Sequence, residues 1–145
     1  MRRKSANCRH SYQGRERVGG RVLLVEDNAD VAEVTCSHLE ELGFIVTHAP
    51  DVASAQEILR RADPAIDLVF SDIVMAGDQN GLDLARAVRQ QHDRRVPVLL
   101  ATGYSDVAQV AADEGFPLLR KPYSTPQLRD ALAKALRAKR LKVVA

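Results

Sequence analysis

Residues 67–75 read DLVFSDIVM, and this stretch decides the fold because it is typical of a strand buried on both faces. The apolar residues Leu68, Val69 and Phe70 run together without the alternation of a half-exposed strand. Asp72 then interrupts the apolar run. A carboxylate in such surroundings is costly unless it is paired, binds a metal or lies just past the end of the strand. Asp72 therefore needs a partner or a chemical role.

The flanking sequence repeats one pattern, in which a short apolar strand is followed by an amphipathic helix. The pattern predicts strands at 21–25, 44–48, within 67–75, at 96–102 and within 116–122, and helices at 30–42, 51–61, 82–91, 105–114 and from 124 onward. With short loops and right-handed crossovers, five such repeats form a parallel sheet covered by helices on both faces. In such folds the polar chemistry gathers beyond the carboxyl ends of the strands.

Polar residues do follow these strands in the sequence. Glu26 and Asp27 follow the first, Asp72 the third, Thr102 ends the fourth, and Lys121 follows the fifth. Carboxylates crowded together repel one another, and a hard divalent cation such as Mg²⁺ relieves that repulsion. A Glu-Asp pair after a strand is by itself often only a helix-capping turn. All five residues on one edge instead favour phosphoryl transfer onto Asp72, with Lys121 and Thr102 contacting the phosphoryl group.

The composition indicates one soluble domain with basic ends. Of 145 residues, 28% are charged and 46% hydrophobic, and no apolar run reaches the roughly 18 residues of a membrane span. Residues 1–20 hold six Arg or Lys and one Glu, residues 134–145 hold five Arg or Lys and no acid, and 21–133 are acidic overall. We interpret 1–20 and 139–145 as tails and 21–138 as the domain. Two cysteines and the lack of a secretory signal favour a reduced, cytoplasmic setting.

Four stretches resemble the motif blocks of response-regulator receiver domains, and the resemblance covers about 21–138. They are LLVEDN (23–28), DLVFSDIVM (67–75), VLLATGY (98–104) and LLRKPY (118–123). The resemblance implies a doubly wound α/β fold with the flavodoxin-like strand order 2-1-3-4-5. It also implies a phosphoacceptor signalling domain, which at most catalyses its own phosphorylation and dephosphorylation.

Residue roles follow from the same resemblance. Asp72 would take a phosphoryl group from a histidine kinase or a histidine phosphotransfer protein, and the Lys121–Pro122 peptide would be cis. Thr102 and Lys121 would contact the phosphoryl group. The ligands of Mg²⁺, or of Mn²⁺ in its place, would be Glu26, Asp27, Asp72 and the backbone carbonyl of Val74.

Two positions depart from the family pattern. Ala76 stands where many receivers have proline, which predicts a looser loop around Val74. Leu118 stands where many have the tyrosine or phenylalanine that moves inward on activation. Tyr104 is either a partial substitute for that ring or a solvent-facing loop residue.

Partners are predicted in less detail. GFPLLRKPY (115–123) and ATGYSD (101–106) resemble receivers of hybrid histidine kinases and some stand-alone relay receivers. A kinase or phosphotransfer helix would dock on the first helix, at Val31, Val34, Thr35 and His38, although core positions are the default for Val31 and Val34. We expect a monomer or weak dimer, either a single-domain regulator or a piece of a longer protein.

Other functions fit the sequence less well. An aspartyl-phosphate phosphatase needs a second acid near its nucleophile, and Val74 occupies that position. A histidine phosphotransfer protein is a helical bundle, and His10, His38, His48 and His92 share no spacing. Nucleic-acid binding rests only on the basic ends. A pseudo-receiver, acting through phosphorylation-independent binding, is the alternative within the family.

Overall fold

The computed structural model describes residues 19–61, 65–91 and 96–144, the side chains of 139–144 excepted. The predictions for residues 1–18, which include His10 and Cys8 (one of the two cysteines), lie outside the described residues. The same holds for His92 and for Ala145, the last residue of the predicted C-terminal tail.

Five parallel strands form one sheet, as the repeated pattern predicts. The strands are β1 (Arg21–Val25), β2 (Ile45–Ala49), β3 (Leu68–Asp72), β4 (Val98–Thr102) and β5 (Leu118–Arg120). Their order across the sheet is β2-β1-β3-β4-β5. The predicted fold class and strand order are therefore confirmed, with strand ends within one or two residues of the predicted ones at most positions.

Each strand is followed by a helix. The helices are α1 (Ala29–Glu41), α2 (Val52–Arg60), α3 (Gly81–Arg89), α4 (Ser105–Asp113) and α5 (Thr125–Val144). Helices α1, α2 and α3 each begin with a side-chain cap. The side chains of Asn28, Asp51 and Asn80 accept hydrogen bonds from backbone N–H groups of the first turn. In the described part of the chain, no helix combines the length and the apolar character of a membrane span.

Strand β3 is buried on both faces, which explains the apolar run of the opening stretch. Leu68 and Phe70 belong to a core cluster that also contains Leu39 of α1 and Leu132 of α5. Val69, on the opposite face, belongs to a second cluster with residues of α2, α3 and α4. The sheet is thus the middle layer of three, and its central strand carries Asp72 at its carboxyl end.

The inner face of α1 differs from the predicted one. Val31 and Val34 are 42% and 56% exposed, so the default reading of these residues as core is wrong. Ala32 and Cys36, together with Leu39, are buried instead. Both sets have helical spacing, and Ala32, Cys36 and Leu39 lie in the same core cluster as Phe70 of β3. The two valines are therefore left on the surface.

Helix α5 begins with a capping box formed by Ser124 and Gln127. The Gln127 side chain accepts from the Ser124 N–H at 2.8 Å, and the Ser124 hydroxyl accepts from the Gln127 N–H at 3.2 Å. The helix continues to Val144, six residues beyond 138, the last residue of the predicted domain. Residues 138–144 contain only Ala, Lys, Arg, Leu and Val, with no glycine or proline to end a helix.

Candidate functional site

The register of the sheet brings the predicted site residues to one edge. Val25 pairs with Ser71, and Asp72 pairs with Ala101. The residues that follow β1, Glu26 and Asp27, therefore lie beside the end of β3. Thr102 ends β4 on the other side of β3.

Asp72 and Lys121 form the central contact of this site. The Lys121 Nζ lies 3.1 Å from the Asp72 Oδ1, and the Asp72 side chain is 14% exposed. Burial raises the pKa of Asp72 above its usual value, the Lys121 ammonium and its hydrogen bond oppose this rise, and the charge of Asp27 adds to it. Asp72 is thus a carboxylate whose negative charge needs the cation that lies beside it.

Glu26 is a second buried carboxylate at this edge. Its Oε2 accepts a hydrogen bond from the Asn28 N–H at 3.1 Å. Burial raises the pKa of Glu26, the Asn28 bond lowers it, and the charge of Asp72 raises it again. The two acids therefore lie near enough to repel each other.

Asp27 is exposed and joins two loops of the site. Its Oδ2 accepts a hydrogen bond from the Ala76 N–H at 2.8 Å. Proline has no N–H, so a proline at position 76 could not make this bond. We expected Ala76 to loosen the loop after β3, but the N–H of this residue joins the loop to Asp27.

The acidic residues do not form a preassembled metal cage. Within the described ranges, no three His, Cys, Asp or Glu side chains are grouped so as to hold a metal ion. Mg²⁺ does not require three such side chains, because it is commonly held by one or two carboxylates and keeps several waters. Burial is the main cause of the raised pKa values of Asp72 and Glu26, and the charges of neighbouring aspartates add to both. Carboxylates in this environment suit a hard cation with oxygen ligands. The donor set therefore fits Mg²⁺ chemically.

The backbone of Asp72 is fixed by close packing against the start of α3. The Ser71 hydroxyl donates to the Asp72 carbonyl at 2.9 Å, and the Gly81 N–H donates to the Ile73 carbonyl at 2.9 Å. A Cβ atom on Gly81 would lie 2.8 Å from the Ser71 Oγ and closer still to the Asp72 carbonyl oxygen. Only glycine allows α3 to begin this near to the candidate phosphoacceptor.

Thr102 and its neighbours form the other side of the site. Thr102 is buried, and its hydroxyl oxygen accepts from the Tyr104 N–H at 3.1 Å. Tyr104 is 62% exposed, which agrees with the solvent-facing alternative. Leu118 is half-buried and packs against the core on the α4 side of the sheet. The Lys121–Pro122 peptide is cis, in agreement with what the resemblance implies.

Tyr123 is a neighbour of the site to which the sequence analysis gave no role. Its ring packs edge-on against Phe70, with ring centroids 6.2 Å apart. Burial raises the pKa of Tyr123, a hydrogen bond with the Thr35 side chain lowers it, and the charges of Glu26 and Asp72 raise it. The only signal in the sequence is its place two residues after Lys121.

Comparisons with known proteins agree with this geometry. The family model described as "Response regulator receiver domain" matches residues 22–133. The response regulator receiver protein CpdR of Brucella abortus is 33% identical over 120 residues, covering 80% of this chain and 96% of that protein. A receiver domain protein structure from Clostridium thermocellum has a TM-score of 0.75 and 26% identity, covering 84% of this chain and 98% of that one.

A longer relative matches through one part only. The alginate biosynthesis transcriptional regulatory protein AlgB of Pseudomonas putida is 36% identical over 124 residues, which are 84% of this chain but 27% of that protein. This chain thus spans about a quarter of the length of the AlgB relatives.

The parallel sheet, with its acids and lysine at one edge, defines a phosphoacceptor signalling domain. The chain belongs to the response regulator receiver domain family of two-component systems.

Proposed function

We propose that Asp72 is the residue that takes the phosphoryl group, from a histidine kinase or a histidine phosphotransfer protein. A carboxylate oxygen of Asp72 would attack phosphorus, and the bond to the donor imidazole would break, leaving the imidazole to take up a proton. The observation that carries this proposal is the short Asp72–Lys121 contact at the carboxyl end of a buried central strand. No other described feature gives so clear a reason for a carboxylate in that place.

Lys121 and Thr102 would assist the transfer by binding the phosphoryl oxygens. The Lys121 ammonium already lies at ion-pair distance from Asp72 and would follow the negative charge as it moves onto the phosphoryl group. The Thr102 hydroxyl accepts from the Tyr104 N–H, so its own proton is available for donation to a phosphoryl oxygen.

The cation of this reaction would be Mg²⁺, or Mn²⁺ in its place. Asp27, Asp72 and the Val74 carbonyl are the proposed ligands, with Glu26 in the same set. When bound, the cation offsets the charge of the incoming phosphoryl group.

The test of this proposal is intact-protein mass after incubation with acetyl phosphate, with either Mg²⁺ or excess EDTA. We expect a gain of one phosphoryl group with Mg²⁺ and none with EDTA. A folded protein that gains nothing under either condition would favour the alternative, a pseudo-receiver that acts by binding alone.

The partner would dock on α1. Val31 and Val34 project from this helix into solvent, next to exposed Asp30 and Glu33. An exposed apolar pair with charged neighbours is suited to the apolar face of a partner helix. The exposure of these valines thus favours the predicted docking role over the core role.

Replacing both valines should affect phosphorylation by a partner protein but not phosphorylation by acetyl phosphate. We expect Val31→Ser/Val34→Ser to slow phosphorylation by a cognate histidine phosphotransfer protein about thirtyfold, because truncating an important interface residue costs about 1 kcal/mol or more. Phosphorylation by acetyl phosphate, which needs no docking, should be unchanged. The matched control is Val110→Ser, since Val110 is an equally exposed valine on α4. Equal slowing in the control variant would contradict docking on α1.

We also propose the kind of protein in which the domain acts, its cellular location and its oligomeric state. Likeness to hybrid-kinase receivers rests on 101–106 and 115–123, whereas the reported relatives are a transcriptional regulator and a receiver protein. A relay role suits the absence of an aromatic ring at Leu118. We further propose a cytoplasmic domain, monomeric or weakly dimeric. The acidic balance of 21–133 disfavours binding of nucleic acid by the domain itself.

A further inference from the structure

We propose that His48 is a positioning residue for the Glu26–Asp27 turn, an inference that rests on the proposed role of this turn in holding Mg²⁺. The His48 Nε2 lies 2.8 Å from the Glu26 carbonyl oxygen. A carbonyl oxygen only accepts hydrogen bonds, so the Nε2 of His48 carries the proton in this contact. The ring therefore fixes the backbone of the first acidic residue.

This bond adds to a backbone bond at the same place. The Glu26 N–H donates to the Ala49 carbonyl at 3.1 Å, so both backbone polar groups of Glu26 are bound by consecutive residues of β2. On its other side the turn is held by the Ala76 N–H bond to Asp27. The acidic turn is thus held from two directions, by an edge strand and by the loop that carries Val74.

Such support should matter for cation binding. Groups that orient metal ligands contribute strongly to affinity, and their removal typically costs about 10–100-fold. His48 is half-buried and lies on the edge strand β2. A purely structural role for His48 would appear as lost thermal stability, whereas positioning would appear as lost Mg²⁺ affinity in a protein of ordinary stability.

The experiment compares two amides that differ by one methylene. The Gln side chain can place its N–H group about where His has Nε2, whereas the Asn side chain is too short to reach the Glu26 carbonyl. Mg²⁺ affinity is measured by titration calorimetry on unphosphorylated wild type, His48→Gln, His48→Asn and the control Thr47→Ala, which alters the adjacent residue of the same strand. Thermal midpoints are recorded for all four proteins.

We expect His48→Asn to bind Mg²⁺ about tenfold more weakly, and His48→Gln and Thr47→Ala to remain within about twofold of wild type. Equal Mg²⁺ affinities of the His48→Asn and His48→Gln variants, whether both strong or both weak, would overturn the positioning role while the proposed function stands. Weakening of Mg²⁺ binding in Thr47→Ala as large as in His48→Asn would overturn it as well. Absence of Mg²⁺ binding by the wild type would overturn the proposed metal site together with this inference.

Discussion

Asp72→Asn should abolish the Mg²⁺-dependent gain of a phosphoryl group while leaving the protein folded. The amide has nearly the shape of the carboxyl group but is not a nucleophile toward phosphorus. Burial raises the pKa of Asp72, which means that its charged form is disfavoured there, so a neutral amide is tolerated in the same place. The measurement is intact-protein mass after incubation with acetyl phosphate, with a thermal unfolding curve for each protein.

Asp78→Asn is the matched control for this loss. Asp78 is an exposed aspartate in the loop after β3, and the same chemical change there should leave phosphorylation at the wild-type level. Phosphorylation that persists in folded Asp72→Asn would contradict the assignment of Asp72. Loss of phosphorylation in both variants would point to the loop rather than to one carboxylate.

Gly81→Ala, which adds a single methyl group near the site, should strongly lower the free energy of unfolding. At an unhindered helix position, alanine in place of glycine stabilises by roughly 0.5–1 kcal/mol. At Gly81 the added methyl group would instead meet the Asp72 carbonyl oxygen and the Ser71 Oγ, and the first of these belongs to the backbone. We expect a loss of about 2–3 kcal/mol in the free energy of unfolding, the upper part of the range for overpacked interiors. The measurement is urea denaturation.

Gly103→Ala provides the comparison. The nearest atom to a Cβ there is the Lys121 Cβ at 3.7 Å, an ordinary van der Waals contact. The free energy of unfolding should change by less than about 0.5 kcal/mol.

We also expect slower phosphorylation in Gly81→Ala, because the backbone of Asp72 has to move. Equal stability of the two variants would mean that α3 can shift away from β3 at little cost.

Much of the fold was predictable because burial leaves a simple pattern in parallel sheets. The apolar run at Leu68–Phe70 indicated a strand covered on both faces, and β3 does lie between two core clusters. The site was predictable for a related reason. Parallel strands end at the same edge, so Glu26, Asp72 and Lys121 could be placed together from their positions after strands alone.

The parts that could not be predicted depend on choices that a sequence pattern leaves open. On α1, the set with Val31 and Val34 and the set with Ala32 and Cys36 both have helical spacing, and only packing decides which is buried. The loop at Ala76 was expected to be looser, but a backbone N–H forms the bond to Asp27, and every residue except proline has one. No role could be predicted for His48, because nothing in its sequence neighbourhood indicates which carbonyl its ring reaches.

The most direct test of the central claim is to locate the phosphoryl group chemically. Protein treated with acetyl phosphate and Mg²⁺ is reduced with borohydride, which converts an aspartyl phosphate to homoserine, and the peptides are then analysed by mass spectrometry. We predict homoserine at position 72 and unmodified aspartate at positions 27 and 78. Homoserine at another aspartate, with residue 72 unmodified, would contradict the account.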